Sequence, residues 1–145
     1  RLVKAKLIAP VQLEMPNKAA YQIVTSHMEE WLNYGIQYNV IPEPEGVGRG
    51  VSTSWSNPDI KSEFVPRELP YVWLLPRGKQ TGEGISPLYP NAPVAALQDR
   101  NLHFVLSLVD AIRLGKPREL AIARELISDF LGRVKDAQQF RYRKP

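Results

Sequence analysis

The last third of the chain carries the clearest helical pattern of apolar positions. Apolar residues recur at helical spacing before Gly115 and again after Pro117. In order, they are Leu102, Val105, Leu106, Val109, Ile112, Leu120, Ala123, Ile127, Phe130 and Val134. Because glycine favours the C-terminal cap of a helix and proline its first turn, LGKP predicts a short connection between two antiparallel helices.

Short strands are predicted for the first half of the chain. Residues 4–15 begin with lysines that alternate with apolar side chains, which predicts one short strand plus an extended arm, with Pro10 interrupting the strand or confining it to a sheet edge. Alternation of apolar and polar side chains in residues 35–40, GIQYNV, predicts a second strand with one solvent-exposed face. Residues 69–75, LPYVWLL, are β-branched and aromatic and form the strongest strand candidate.

One further helix and two irregular segments are predicted around these strands. Asn17 can cap a helix, and apolar residues three or four apart extend it over about residues 18–34, with Gly35 closing it. Residues 46–59 are rich in Gly, Ser and Asn, which predicts a mobile or irregular backbone unless something orders it. Residues 76–93 show no periodicity and are also predicted to form a long loop.

These elements predict an α+β fold with a small, proline-interrupted β-sheet, an N-terminal helix and a C-terminal antiparallel helical hairpin. Most of the 13 prolines lie between Pro42 and Pro93, where they favour short extended segments and turns. A chain of 145 residues fits a single domain. Its predicted parts are a mixed strand and helix region, 1–90, a helical hairpin, 91–136, and a basic tail, 137–145.

Composition limits the chemistry of the chain. It contains no cysteine, which excludes disulfides, thiolate zinc sites and cysteine nucleophiles. The lack of disulfides suits a reducing compartment, so a cytoplasmic location is expected. No apolar run approaches the ~20 residues of a membrane span, so no membrane partner is expected. Apolar residues make up 43% of the chain and charged residues 23%, which is typical of a folded globular domain.

The net charge of +4 belongs to the C-terminal half. The chain through Val72 contains seven basic and eight acidic residues, whereas from Trp73 onward it contains twelve basic and seven acidic residues. Cations cluster at the turn of the hairpin, and in the tail they alternate with aromatic rings, a pattern that suits phosphates and stacked bases. The predicted nucleic-acid contacts are Arg49, Arg113, Lys116, Arg118, Arg141, Tyr142, Arg143 and Lys144.

The first functional hypothesis is therefore a non-catalytic nucleic-acid-binding or regulatory module, for DNA or RNA, and it requires these cations to converge on one patch. The alternative is a protein-interaction or assembly module. Residues 102–112 are apolar almost all round, and one small sheet would not cover them, so a partner protein or a second copy of the chain would complete the burial.

Signals for catalysis are weaker. Ser107, His103 and Asp110 share a helical face, but a nucleophilic serine usually occupies a strained turn beside free amide donors. A metal-dependent nuclease could use Asp59 and Glu63, yet no acid-x-Lys pair follows, and SNPD is typical of a turn. The glycines of GVGRG match no phosphate-loop pattern. The sequence thus predicts no catalytic residue, metal or cofactor.

Overall fold

A computed structural model of the chain describes residues 1–11, 20–60, 63–64 and 69–142. Helices and strands are both present, so the fold is α+β, as predicted. The strands are β1 (Ile8–Val11), β2 (Ala20–Ile23), β3 (Pro44–Ser52), β4 (Tyr71–Leu74) and β5 (Gln80–Ile85). The helices are α1 (Thr25–Glu30), α2 (Ile36–Asn39), α3 (Ala92–Gln98), α4 (Arg100–Leu114) and α5 (Pro117–Tyr142). A π-helical turn, Trp31–Gly35, joins α1 to α2, and a 3-10 turn, Ser54–Ser56, follows β3.

The strands form two separate sheets. Strands β1 and β2 make an antiparallel pair in which Pro10 lies opposite Tyr21. Strand β3 is antiparallel to both β4 and β5, and β4 and β5 are parallel to each other, so the three strands close into a small barrel. The prediction of a strand in LPYVWLL is confirmed by β4.

Glycines at alternate positions allow this barrel to close. Gly48 of β3 lies opposite Gly82 of β5 in the register of the two strands. A Cβ atom at Gly82 would lie 2.1 Å from the carbonyl oxygen of Pro70, and one at Gly50 would lie 2.1 Å from that of Trp73. The glycines thus permit close approach of backbones, and pairing with the two other strands orders GVGRG as part of β3. The prediction of one long loop over 76–93 is wrong, because residues 80–85 form β5.

In the N-terminal region, the strand and the helix begin later in the sequence than predicted. Residues 3–7 form turns and not a strand, and the strand starts at Ile8. Most of the predicted helix start lies outside the described residues, but residues 20–23 are β2, and the helix begins only at Thr25. Apolar spacing of three or four also occurs by chance across a strand and the helix after it, which explains the error.

The predicted strand over residues 35–40 is helical. Ile36 is 0% exposed, whereas Tyr38 is 75% exposed, because residues two apart point in nearly opposite directions on a helix. Gly35 does not close the preceding helix, since its φ of −102° is not left-handed. A Cβ at Gly35 would lie 2.9 Å from Cδ1 of Trp31, so this glycine makes room for the indole ring.

The C-terminal hairpin is confirmed. Gly115 adopts φ +66° and ends α4, and Pro117 begins α5. Helix α4 packs against α5, α3, α2 and the 3-10 turn, and Leu108, Ala111 and Ile112 are 0% exposed. The chain therefore buries the second half of this helix itself, whereas Leu102, Phe104 and Val105 in the first half are half-buried. Among the helices that the structure describes, none combines the length and apolarity needed to cross a bilayer.

Candidate functional site

Arg113, one of the eight predicted contact residues, is buried and not on the surface. It is 4% exposed, and its Nη1 lies 2.6 Å from Oδ1 of Asp110 and 3.1 Å from the carbonyl oxygen of Ser86. Its Nε donates to the carbonyl oxygen of Val40 at 2.8 Å. These donors hold the interior together and cannot reach a phosphate, so its assignment as a contact residue is corrected.

The hairpin turn and the tail lie at opposite ends of α5. Lys116 and Arg118 lie at its beginning, and Arg141 and Tyr142 at its end. A rise of 1.5 Å per residue separates Arg118 from Arg141 by about 35 Å. Residues 143–144 lie outside the described part of the chain. Among the described residues, Arg118 and Arg141 therefore lie too far apart to belong to the single patch that the nucleic-acid hypothesis required.

The remaining predicted cations differ in their surroundings. The Lys116 ammonium donates to the Tyr71 hydroxyl at 2.8 Å and lies 5.2 Å from the centroid of that ring, so it is partly engaged. Arg118 is exposed on the first turn of α5. Arg49 is exposed on β3, opposite Thr81 of β5.

A buried polar network centred on Asp110 joins α4 to the barrel. Asp110 is 0% exposed, and its Oδ2 accepts hydrogen bonds from Thr53 Oγ1 at 2.7 Å and from Trp73 Nε1 at 2.6 Å. Burial raises the pKa of Asp110 above its ordinary value, while the Arg113 guanidinium and the two other donors favour the charged form and oppose that rise. The network is closed to solvent, so its role is structural.

The helical face of Ser107, His103 and Asp110 does not form a catalytic triad. Ser107 Oγ donates to the backbone carbonyl of His103 at 2.8 Å and accepts from Asn57 Nδ2 at 2.9 Å. Nε2 of His103 lies 2.7 Å from the carbonyl oxygen of Ser52. No hydrogen bond joins the serine hydroxyl to the imidazole, or the imidazole to the carboxylate, among the described contacts.

Asp59 is engaged by a cation at the surface. Its backbone N–H donates to Asn57 Oδ1 at 2.8 Å, which confirms the predicted turn. Its carboxylate accepts from Arg100 Nε at 2.8 Å and Nη2 at 2.5 Å, and these hydrogen bonds lower the pKa of Asp59, although partial burial opposes the shift. Within the described ranges no three acidic or histidine side chains are grouped so that they could hold a metal ion.

An open cavity of about 560 Å³ lies beside the π-helical turn. We call it the apolar cavity. Ala5 and Leu7 form its wall on the N-terminal arm, and Trp31, Tyr34 and Gly35 form its wall on the turn. The arm is attached to α1 at this point, because a hydrogen bond of 3.0 Å joins Nδ1 of His27 to the backbone carbonyl oxygen of Lys6.

The π-helical turn shapes this wall. In it, the N–H of Ile36 bonds to the carbonyl of Trp31, five residues back. From α5, Arg124 donates to the backbone carbonyl of Asn33 through Nε at 2.9 Å and Nη2 at 2.6 Å, which satisfies an acceptor in the widened turn. Such turns are rare and occur frequently at functional sites.

A second cavity of about 380 Å³, which we call the acidic cavity, lies between this turn and α5. Three carboxylates line it, those of Glu29, Glu30 and Glu125. Ser128 of α5 donates a hydrogen bond to Oε1 of Glu29. Asn33 also lines this cavity, is 6% exposed, and has a buried Oδ1 without a hydrogen-bond partner among the described residues.

The two cavities adjoin along an aromatic surface. Glu30 and Tyr34 line both of them. Tyr34 is 62% exposed, and one turn later Tyr38 is 75% exposed. The guanidinium carbon of Arg124 lies 4.8 Å from the centroid of the Tyr34 ring, which orients that ring at the boundary.

Sequence reasoning missed this site because its residues were assigned to other elements. The apolar spacing predicts that Trp31 belongs to a helix that ends at Gly35, and the alternation in residues 35–40 predicts that Tyr38 belongs to a strand. The signal that was present is the aromatic spacing in WLNYGIQY, directly after two adjacent glutamates. Read with one continuous helix, that spacing places Tyr34 and Tyr38 on one face.

We compared the chain with protein-family models, with curated proteins and with solved structures, and none of the three comparisons gave a match. The fold and the two adjoining cavities define an α+β domain with a concave, partly aromatic surface.

Proposed function

We propose that this chain is a non-catalytic protein-interaction domain that binds a segment of a partner protein along α1, the π-helical turn and α2. The observation that carries the proposal is a cavity with Trp31 and the exposed Tyr34 in its wall, followed one helical turn later by the exposed Tyr38. Tyrosine and tryptophan are enriched in protein interfaces, because their rings bury large areas and lose little conformational entropy.

Charge supports a partner segment that carries a cation. The chain as a whole has a net charge of +4, but the acidic cavity is lined by three carboxylates and one guanidinium. A segment with an apolar side chain next to a positively charged one would match the apolar cavity and its acidic neighbour at the same time. Two copies of this chain that met through this face would bring carboxylates together, which is unfavourable.

The proposal predicts that peptide binding depends on Tyr38. Short random peptides displayed on phage are selected on the wild-type chain and counter-selected on Tyr38→Ala, and the affinities of the recovered peptides are measured by fluorescence anisotropy. We expect Tyr38→Ala to weaken binding about tenfold, because truncating a tyrosine at a protein interface commonly costs that much affinity. Tyr38 is 75% exposed, so its replacement should leave the fold intact, and circular dichroism checks this.

Leu97→Ala is the matched control for this experiment. Leu97 is 61% exposed on α3, so the Leu97→Ala substitution removes an exposed apolar side chain from a different helix. Peptides that bind both variants as tightly as the wild-type chain, or selections that yield no peptide, would contradict the proposal. A wild-type chain that forms a dimer, which Tyr38→Ala dissociates in sedimentation experiments, would assign the face to a second copy and also overturn it.

Nucleic-acid binding at the hairpin turn remains the second candidate. Arg118 is exposed there, next to Lys116, and this observation favours it. Binding to a duplex and to a single strand should weaken as salt rises from about 50 to 200 mM. Arg118→Ala should reduce the slope of log affinity against log salt concentration by about one, the value for one lost phosphate contact. If no affinity is measured at the lowest salt, or if affinity is independent of salt, this candidate is removed.

A further inference from the structure

We infer that the acidic cavity is a subsite for a primary ammonium group, such as the end of a lysine side chain in the partner segment. The inference rests on the proposed function for the source of the lysine. It does not rest on it for the chemistry of the subsite, which follows from the side chains that line the cavity.

The carboxylates of the cavity come from two elements that pack together. Glu29 and Glu30 belong to α1, and Glu125 belongs to α5. The hydrogen bond from Ser128 to Glu29 joins the two helices and orients the Glu29 carboxylate. A cation bound between the two helices would be attracted by carboxylates of both.

Arg124 does not neutralise the cavity as a mobile counterion would. Its Nε and Nη2 both donate to the backbone carbonyl of Asn33, and its guanidinium lies over the Tyr34 ring. The guanidinium is therefore held at the wall by the π-helical turn. With three carboxylates and this one cation, the cavity keeps a net negative charge.

Asn33 supplies an observation that is independent of the carboxylates. Its side chain is more than nine-tenths buried, and its Oδ1 has no hydrogen-bond partner in the described part of the chain. Burying an acceptor without a donor is unfavourable, so such a group in a cavity wall indicates a ligand that donates. An ammonium group has three donors and no acceptor, which suits an amide oxygen together with carboxylates.

An ammonium group fits this cavity better than a metal ion does. No group of three or more acidic or histidine side chains is close enough to hold a metal among the described residues. An ammonium group is a compact charge on a flexible apolar stem. The stem would lie along Tyr34, which lines both cavities, and would lead from the apolar cavity to the carboxylates.

The test uses n-butylammonium as a probe of the lysine side chain. The full chain, labelled with ¹⁵N, is titrated with n-butylammonium chloride at constant ionic strength and observed in ¹H–¹⁵N spectra. We expect a saturable shift of the side-chain amide signals of Asn33. Neutral n-butanol and anionic n-butyrate, which have the same stem, should not produce this shift.

Charge-removing variants then identify the groups that bind the probe. Glu30→Gln and Glu125→Gln should each weaken n-butylammonium binding at least about fivefold, because each removes one charge from the cavity. Glu83→Gln is the matched control, since Glu83 is exposed on β5 and lines neither cavity. Glu29 is kept unchanged because it bonds to Ser128.

The inference is overturned if the Asn33 signals do not respond to n-butylammonium, if n-butanol shifts them equally, or if the three glutamate variants bind alike. The experiments distinguish a failure of the ammonium subsite from a failure of the proposed protein-interaction function. Peptides whose binding depends on Tyr38 but does not respond to Glu125→Gln would retain the interaction face and remove the ammonium subsite. Saturable n-butylammonium binding without any Tyr38-dependent peptide would retain the subsite and remove the partner segment.

Discussion

Arg113→Met is expected to lower the free energy of unfolding by about 3 to 5 kcal/mol, because it leaves the buried Asp110 carboxylate without its counterion. The two groups are 1% exposed each and lie 2.6 Å apart. Two backbone carbonyls would also lose their donor, those of Val40 and Ser86. Urea denaturation followed by tryptophan fluorescence measures the change.

A double variant separates the charge effect from the loss of packing. Asp110→Leu with Arg113→Met removes both charges, and replacing a buried pair by apolar groups is often far less destabilising than removing one partner. We therefore expect the double variant to be more stable than Arg113→Met alone. Arg118→Met is the surface control, and its effect should stay within about 0.5 kcal/mol. Equal effects of Arg113→Met and Arg118→Met would contradict the buried position of Arg113.

The loss in Arg113→Met should also depend on pH. Without the guanidinium, burial is opposed only by the hydrogen bonds from Thr53 and Trp73, and it holds the pKa of Asp110 above the ordinary value of 3.8. The unfolded chain releases this proton near 3.8, whereas the folded variant retains it to higher pH. The folded state is therefore favoured at low pH, and the destabilisation should grow as pH rises above 3.8.

Gly82→Ala is expected to lower the free energy of unfolding by about 3 kcal/mol, because the added methyl group would prevent the barrel from closing. Its Cβ would lie 2.1 Å from the carbonyl oxygen of Pro70 and 3.0 Å from Cγ1 of Val72. The nearest atom belongs to the backbone of a neighbouring segment, so no side-chain rotation relieves the contact. The midpoint of urea denaturation gives the change in stability.

Gly132→Ala is the matched control for the barrel. Apart from its neighbours in the chain and the backbone of its own helix, no described atom lies within 4 Å of a Cβ at Gly132, which is inside α5. Alanine there should stabilise the protein by about 0.5 to 1 kcal/mol, because glycine loses more backbone entropy in a helix. If Gly82→Ala were as stable as the wild-type chain, the close approach of β5 to the segment before β4 would be contradicted.

The candidate site shows why sequence reasoning about surfaces has limits. Arg113 and Arg118 look alike in the sequence, but one pairs with Asp110 in the interior and the other remains exposed. In the acidic cavity, Glu125 is almost a hundred positions away from Glu29 and Glu30 in the sequence, and only the packing of α1 on α5 brings it near them. No local pattern records such a juxtaposition.

The sequence by itself determined the elements whose signals are local. Apolar spacing, Gly115 and Pro117 specified the helical hairpin, and a β-branched, aromatic run specified β4. Only the tertiary structure decided the rest. The glycines of β3 look like a loop until two other backbones approach them, and whether a charged residue is buried or exposed depends on partners distant in the chain. Close approach and burial are properties of the packed molecule, which is why they cannot be read from neighbouring residues.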